Sequence, residues 1–193
     1  MLINNVWETV FEFKKKNYFS PIINRPSSSL IIVDNFYNDP DMVREFALKQ
    51  EFKENKENKE YHKGRITEEC FRFKGLKSEL EFHMNKNIIN WSIYETNGCF
   101  QLCITCKQLV YHYELQEYVA IICLTPDEPL ETYNTDTNTI LDPLQTDLVE
   151  KIGNVYNRLL IFDAKLIHSI SHYFGNNGNN CGLFHIFFFD VEN

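Results

Sequence analysis

From Asn90 onward the apolar residues of this chain recur at every second position in short runs, a spacing that fits a pleated strand and not a helix. The candidate strands are Asn90–Tyr94, Cys99–Thr105, Gln108–Glu114, Tyr118–Leu124, Arg158–Phe162 and Leu183–Phe189. Sixteen Phe and ten Tyr favour a β-rich core, because aromatic rings pack well on a pleated surface. Before residue 90 the pattern differs. Leu30 to Phe36 reads as a short buried strand, and Asp39-Pro40 then gives a helix start, with Asp39 as N-cap and Pro40 at the first helical position. That helix runs from Asp41 to Lys49 with Val43, Phe46 and Ala47 on one face, and a second covers Leu76 to Met84. Two helical elements followed by many short strands predict a mainly β fold with flanking helices, a helix-buttressed barrel or jelly roll.

The rest of the chain is punctuated around that core. Residues 1–28 carry Lys14-Lys15-Lys16 and end at the breaker Pro26-Ser27-Ser28, and they are expected to form an N-terminal arm preceding one domain over 29–193. Residues 51–64 are a charged, low-complexity stretch, expected as a solvated surface segment or, alternatively, a lid. Thr132–Asp142 is expected as a loop and Asp147–Val155 as a helix.

Charge and apolar content narrow the function classes. A net charge of −8 gives no basic footprint for phosphates, so no nucleic-acid partner is expected. No apolar run approaches the roughly 18–20 residues that cross a bilayer. The opening Met1-Leu2-Ile3-Asn4-Asn5-Val6-Trp7-Glu8 does not read as a secretion signal, so a cytoplasmic protein is expected. The cysteines at 70, 99, 103, 106, 123 and 181 fit a reducing compartment with buried thiols. Cys103-Ile104-Thr105-Cys106 has metal or redox spacing, but in a strand residues i and i+3 face opposite ways, and no second such pair exists.

One motif carries chemistry. On a strand, His112 and Glu114 project side by side from the same face. His112 alone reads as a hydrogen-bonded structural histidine. A carboxylate two positions on in an apolar strand needs a partner, since an unpaired buried charge is costly. A second histidine from a distant strand, His168 or the nearby His172, would complete two imidazoles and one carboxylate, the facial triad of non-haem Fe(II) oxygenases. His62 and His83 read as surface residues, and His185 as pointing to the face of its strand opposite Gly182 and Phe184.

Several stretches in order resemble the small 2-oxoglutarate/Fe(II)-dependent oxygenase-like proteins of the prolyl-hydroxylase-like superfamily, in a group common in bacteria and their viruses. Ile31-Ile32-Val33-Asp34-Asn35-Phe36-Tyr37-Asn38-Asp39-Pro40 looks like the family's opening. Gly98-Cys99-Phe100-Gln101-Leu102 precedes the His-x-acid strand, and Ala120-Ile121-Ile122-Cys123-Leu124-Thr125-Pro126-Asp127 follows it. Asn157-Arg158-Leu159-Leu160-Ile161-Phe162-Asp163-Ala164 leads to Ile167-His168-Ser169, then to Tyr173-Phe174-Gly175 and the last strand. The likeness spans roughly residues 30 to 190, and its weight lies in order and spacing, not in any single motif.

The resemblance implies a double-stranded β-helix (jelly roll/cupin-like) with Fe(II) on His112, Glu114 and His168, and 2-oxoglutarate as co-substrate. His168 is favoured over His172 by the same pattern. Hydroxylation of a peptide or small-molecule substrate, in a cytoplasm or a viral host's cytoplasm, is the implied activity. Two positions depart from the family. Glu114 stands where Asp is usual, which lengthens the side chain by one methylene. Gly182 stands where an Arg usually clamps the distal carboxylate of 2-oxoglutarate, and Arg158 is the one guanidinium nearby in the pattern. The alternative reading is therefore a catalytically degenerate member that serves as a binding or structural module. A third is a metal enzyme with another co-substrate, or none.

Overall fold

Asp39 Oδ1 accepts the Met42 N–H at 2.9 Å and Pro40 stands at the first helical position, so helix α1 (Pro40–Leu48) begins where its capping residues dictate. The computed structural model describes residues 30–54, 64–103, 112–126, 137–141, 148–170 and 181–192. The expected N-terminal arm and most of the charged stretch lie outside these residues. Helix α2 (Leu76–Met84) opens after Gly75 at φ 81° and closes at Asn85 at φ 52°, both in the left-handed region that glycine and asparagine tolerate.

The strands are β1 (Ile31–Val33), β2 (Phe52–Glu54), β3 (Arg65–Thr67), β4 (Ile88–Ile89), β5 (Cys99–Cys103), β6 (Tyr118–Cys123), β7 (Thr137–Leu141), β8 (Leu148–Gly153), β9 (Leu159–Asp163), β10 (Ile167–Ile170) and β11 (Gly182–Val191). Among the described residues, eight form one antiparallel sheet along β1-β9-β6-β11-β5-β3-β2, with β4 also pairing β11. The other three form a second antiparallel sheet, β10-β7-β8.

Strand β11 explains how one sheet serves two cores. Along a pleated strand successive side chains alternate faces. Leu183, Phe187 and Phe189 join the cluster holding Val43, Phe46 and Ala47 of α1 and Leu76 and Leu80 of α2. Phe184, Ile186 and Phe188 face the other way, into a cluster with Val119, Ile121, Leu160, Phe162 and Ile152 of β8 in the second sheet. The Phe187-Phe188-Phe189 run thus packs both faces at once.

His185 sits on the helix side, opposite Phe184, as its position in the alternation predicts. It is fully buried, its ring 4.1 Å from that of Phe100 and 4.4 Å from that of Phe187. With the ring neutral, Nε2 donates to the Gly98 carbonyl at 3.1 Å and Nδ1 accepts the Tyr37 hydroxyl at 2.7 Å, so both nitrogens are satisfied. Burial pushes its pKa down to about 3. The unfolded chain takes up a proton on this imidazole below about pH 6.5, whereas the folded one stays neutral until about pH 3. The stability present above the higher value is therefore lost progressively as pH falls towards the lower one. Between about pH 7 and about pH 5 this single group removes about 2 kcal/mol. Urea midpoints at the two pH values should fall further for wild type than for His185→Gln, and equal falls would rule the attribution out.

Asn157 makes a second buried polar knot. At φ 62° it accepts the Tyr37 N–H on Oδ1 (2.8 Å) and donates from Nδ2 to the Tyr37 carbonyl (2.9 Å). Its own N–H goes to the Cys123 carbonyl at 2.8 Å, and its carbonyl accepts the Phe36 N–H at 3.0 Å. One residue therefore fastens the end of β6 to the segment that carries the chain from β1 into α1.

Several expectations are corrected. Asp147–Val155 is not helical: β8 occupies most of it, held by its pairing with β7. Part of the expected loop Thr132–Asp142 is β7, whose Thr and Ile residues suit a strand. Asn90–Tyr94 is turn, not strand, because Asn90 at φ 58° bends the chain directly after β4. The charged segment contributes β2, an edge strand. The side chain of His83 is 4% exposed, with its ring 6.2 Å from that of Phe36, so it is not a surface residue.

Candidate metal centre

His112 meets His168 through a two-way backbone pair: His112 N–H to the His168 carbonyl at 3.1 Å, and His168 N–H to the His112 carbonyl at 2.9 Å. This bridge places residue 112 beside β10, at an edge of the second sheet. Two residues on, the Glu114 N–H donates to the Ala164 carbonyl at 2.8 Å. The Lys165 ammonium reaches the carbonyls of Glu114 (3.3 Å) and Leu115. The turn Ala164–Leu166, where the chain leaves β9 for β10, therefore grips the His-x-Glu segment by its backbone.

The side chains follow. His112 and Glu114 point inward, while Tyr113 between them is 63% exposed. Among the described residues of the expected strand, 112–114, only His112 has a strand-like bridge, so Glu114 keeps the expected alternation without lying in a strand. The imidazole rings are 4.5 Å apart, and His112 Nε2 is 3.4 Å from Glu114 Oε1. One donor atom from each of His112, Glu114 and His168 lies within 4.8 Å of the others. The ring of Phe162 stands edge-on to His168 at 4.9 Å and gives the site an apolar flank.

The tautomer of His168 is fixed by its neighbour. Nδ1 lies 2.9 Å from the Leu166 carbonyl, which can only accept, so the proton sits on Nδ1 and the lone pair of Nε2 remains for a metal. Two imidazoles and one carboxylate at this spacing form the donor set of a facial triad, and Fe(II) fits it.

The distal end of 2-oxoglutarate fits less well. Gly182 is buried opposite Cys103 on β5, and a Cβ there would lie 3.0 Å from the Phe184 ring and 3.6 Å from Cys103 Cβ. Aromatic carbon thus stands where a longer side chain at 182 would begin. Arg158 is committed elsewhere: Nε and Nη2 form a fork on the two oxygens of Asp34 (2.6 and 3.0 Å), and Nη1 donates to the Gly153 carbonyl at 3.1 Å. These bonds hold the Asp34 carboxyl below its usual range. Neither Gly182 nor Arg158 is arranged to receive a distal carboxylate. His172, Cys106 and His62 lie outside the described residues.

Solved structures with this fold exist. A prolyl hydroxylase from Trichoplax adhaerens, in complex with a hypoxia inducible factor oxygen degradation domain peptide fragment, matches with a TM-score of 0.59 at 11% identity, over 84% of each chain. A Pseudomonas putida prolyl-4-hydroxylase matches with a TM-score of 0.55 at 10% identity, over 85% of this chain and 94% of that one. The fold is the double-stranded β-helix of the prolyl hydroxylases. No protein-family model and no curated protein matches the chain in sequence. Among the described residues no helix is long and apolar enough to cross a membrane.

The residues that position these three side chains were not singled out from sequence. Lys165, the Leu166 carbonyl and Phe162 all lie within six positions of His168. The Asp163-Ala164-Lys165 turn before the histidine is the one local signal, and it says nothing of the backbone it grips.

Proposed function

We propose that this protein is a non-haem Fe(II) dioxygenase of the hydroxylase type, with iron on His112, Glu114 and His168 and a 2-oxo acid as co-substrate. The observation that carries this reading is the convergence of the three donor atoms on a double-stranded β-helix. With both groups bound, iron supplies oxidative hydroxylation of a C–H bond. The chain's own part is to hold and to shield. His168 presents Nε2 because Nδ1–H donates to the Leu166 carbonyl, Glu114 brings the one negative charge, and Phe162 gives the imidazole an apolar flank. Lys165 keeps the His-x-Glu backbone against the turn after β9. The substrate is a peptide side chain or a small molecule, in keeping with the peptide seen in the Trichoplax complex.

The co-substrate follows from Gly182. Without a bidentate Arg, 2-oxoglutarate loses an interaction worth about 2–5 kcal/mol, or roughly 30- to several-thousand-fold in affinity. Selectivity for a dicarboxylate disappears with it. A monocarboxylic 2-oxo acid such as 2-oxobutyrate is expected to bind within a few-fold of 2-oxoglutarate.

Anaerobic titration of the Fe(II)-loaded protein with each acid, following the weak visible charge-transfer band of the chelate, tests both statements. The band should saturate in wild type and be missing in His112→Ala. Tight, dicarboxylate-selective binding would remove the argument from Gly182. Iron binding with no band for any 2-oxo acid points to another co-substrate. The second reading, a member that has lost turnover and serves as a binding module, is favoured by the Phe184 ring beside Gly182, and absence of iron binding would establish it.

A further inference from the structure

Away from the metal centre, two thiols face each other. Cys70 Sγ and Cys99 Sγ are 3.3 Å apart, both reduced. The chains that carry them are already fastened side by side. β3 pairs β5 through Arg65–Leu102 and Ile66–Gln101, Thr67 Oγ1 accepts the Phe100 N–H at 3.0 Å, and the Phe71 N–H reaches the Gly98 carbonyl at 2.7 Å. Gly98 makes this approach possible: at φ 91° it tolerates the backbone, and a Cβ there would come within 3.0 Å of the Arg72 side chain. A disulfide needs the sulfurs to close by only about 1 Å, within reach of side-chain rotation.

The two thiols differ in access and ionisation. Cys70 is half-buried and Cys99 buried. The hydrogen bond from Cys99 brings the Cys70 thiol down to about 7, the Arg72 charge adding to it and partial burial and the Glu95 charge opposing it, while the same contact and burial push Cys99 up. Cys70 is thus the accessible nucleophile and Cys99 the partner held in contact with it.

We propose that Cys70 and Cys99 form a peroxide-responsive dithiol site, in which Cys70 takes the oxidant and Cys99 closes a disulfide onto it. The Cys70 thiolate attacks one oxygen of the peroxide. An S–O bond forms, the O–O bond breaks, and hydroxide leaves for a sulfenic acid on Cys70. Cys99 sulfur then attacks Cys70 sulfur: the S–S bond forms, the S–O bond breaks, and the departing hydroxide leaves as water with the Cys99 proton. Two electrons pass from the thiols to the peroxide, and a thiol reductant returns them. The site is independent of iron and of the reading given above for the metal centre.

The test uses the full chain at neutral pH with hydrogen peroxide in slight excess, followed by alkylation of the remaining thiols, digestion and mass spectrometry. The expected product is one linked pair of peptides carrying Cys70 and Cys99, lighter by two hydrogens than the separate peptides and restored by dithiothreitol. In Cys99→Ala, Cys70 should accumulate as a sulfenic acid trapped by dimedone. Before oxidation, Cys70 should alkylate several-fold faster than the buried thiols Cys103, Cys123 and Cys181 of the same molecule. If Cys99→Ala does not fold, the wild-type link and the alkylation rates decide the matter. A Cys70 that stays open to alkylation after peroxide, or that links to any other cysteine, overturns the proposal.

Discussion

His168→Ala should abolish stoichiometric Fe(II) binding, lowering affinity by more than the roughly 10–100-fold that loss of an outer-shell partner typically causes. The substitution takes away the imidazole whose Nδ1–H donates to the Leu166 carbonyl and whose Nε2 is thereby left for the metal, and with it one of the three converging donor atoms. The backbone pair with His112 survives, because both of its bonds are main-chain. Folding should therefore be nearly unchanged while metal is lost, a separation that equilibrium dialysis and urea unfolding can measure on the same sample. Lys165→Ala should behave differently. It removes a support of the His-x-Glu backbone and no ligand, so iron should still bind, more weakly. Wild-type iron affinity in His168→Ala would place the metal elsewhere and remove the basis of the proposed chemistry.

Asn157→Ala should destabilise the fold by about 3–7 kcal/mol. Two effects add. The Tyr37 N–H and carbonyl each lose their bond to the Asn157 side chain inside the protein, at about 1–3 kcal/mol for each buried group. Alanine must also hold a φ of 62°, which asparagine tolerates far better. Asn157→Gly separates them, since glycine accepts the backbone but makes neither bond, and it should recover about 1 kcal/mol relative to alanine. Urea unfolding of the three proteins checks this. Equal stabilities for alanine and glycine would mean that the left-handed backbone is not part of the loss.

The elements legible in the sequence are those whose local pattern and tertiary burial agree. β5, β6, β9 and β11 fall within one or two residues of their expected positions, because their side chains are buried on both faces and few other structures accommodate such runs. Both helices were legible from Asp39-Pro40 at the start of one and from Leu76 and Leu80 in the other. β8 was not. Leu148, Ile152 and Val155 lie at helical spacing, and only the pairing with β7 makes the segment a strand. β2 and β3 carry charges because they lie at the outer end of the sheet, so their pattern reads as solvent-facing chain. At the site, His112 and Glu114 were legible because their spacing is local. His168 is reached only through the order of motifs in the resemblance, and the role of Lys165 and the meeting of Cys70 with Cys99 depend on contacts between distant segments that no window of sequence contains.

Strand β11 lies between β5 and β6, which follow one another among the described strands but are not neighbours in the sheet. As the chain emerges from the ribosome, β5 and β6 therefore appear long before the strand that must separate them. Until residues 182–191 arrive, each presents an open apolar edge, and pairing them directly with each other would give a wrong sheet that has to come apart. Nascent chains of this protein are expected to lean on holding chaperones, and to fold slowly, as proteins dominated by distant pairings do.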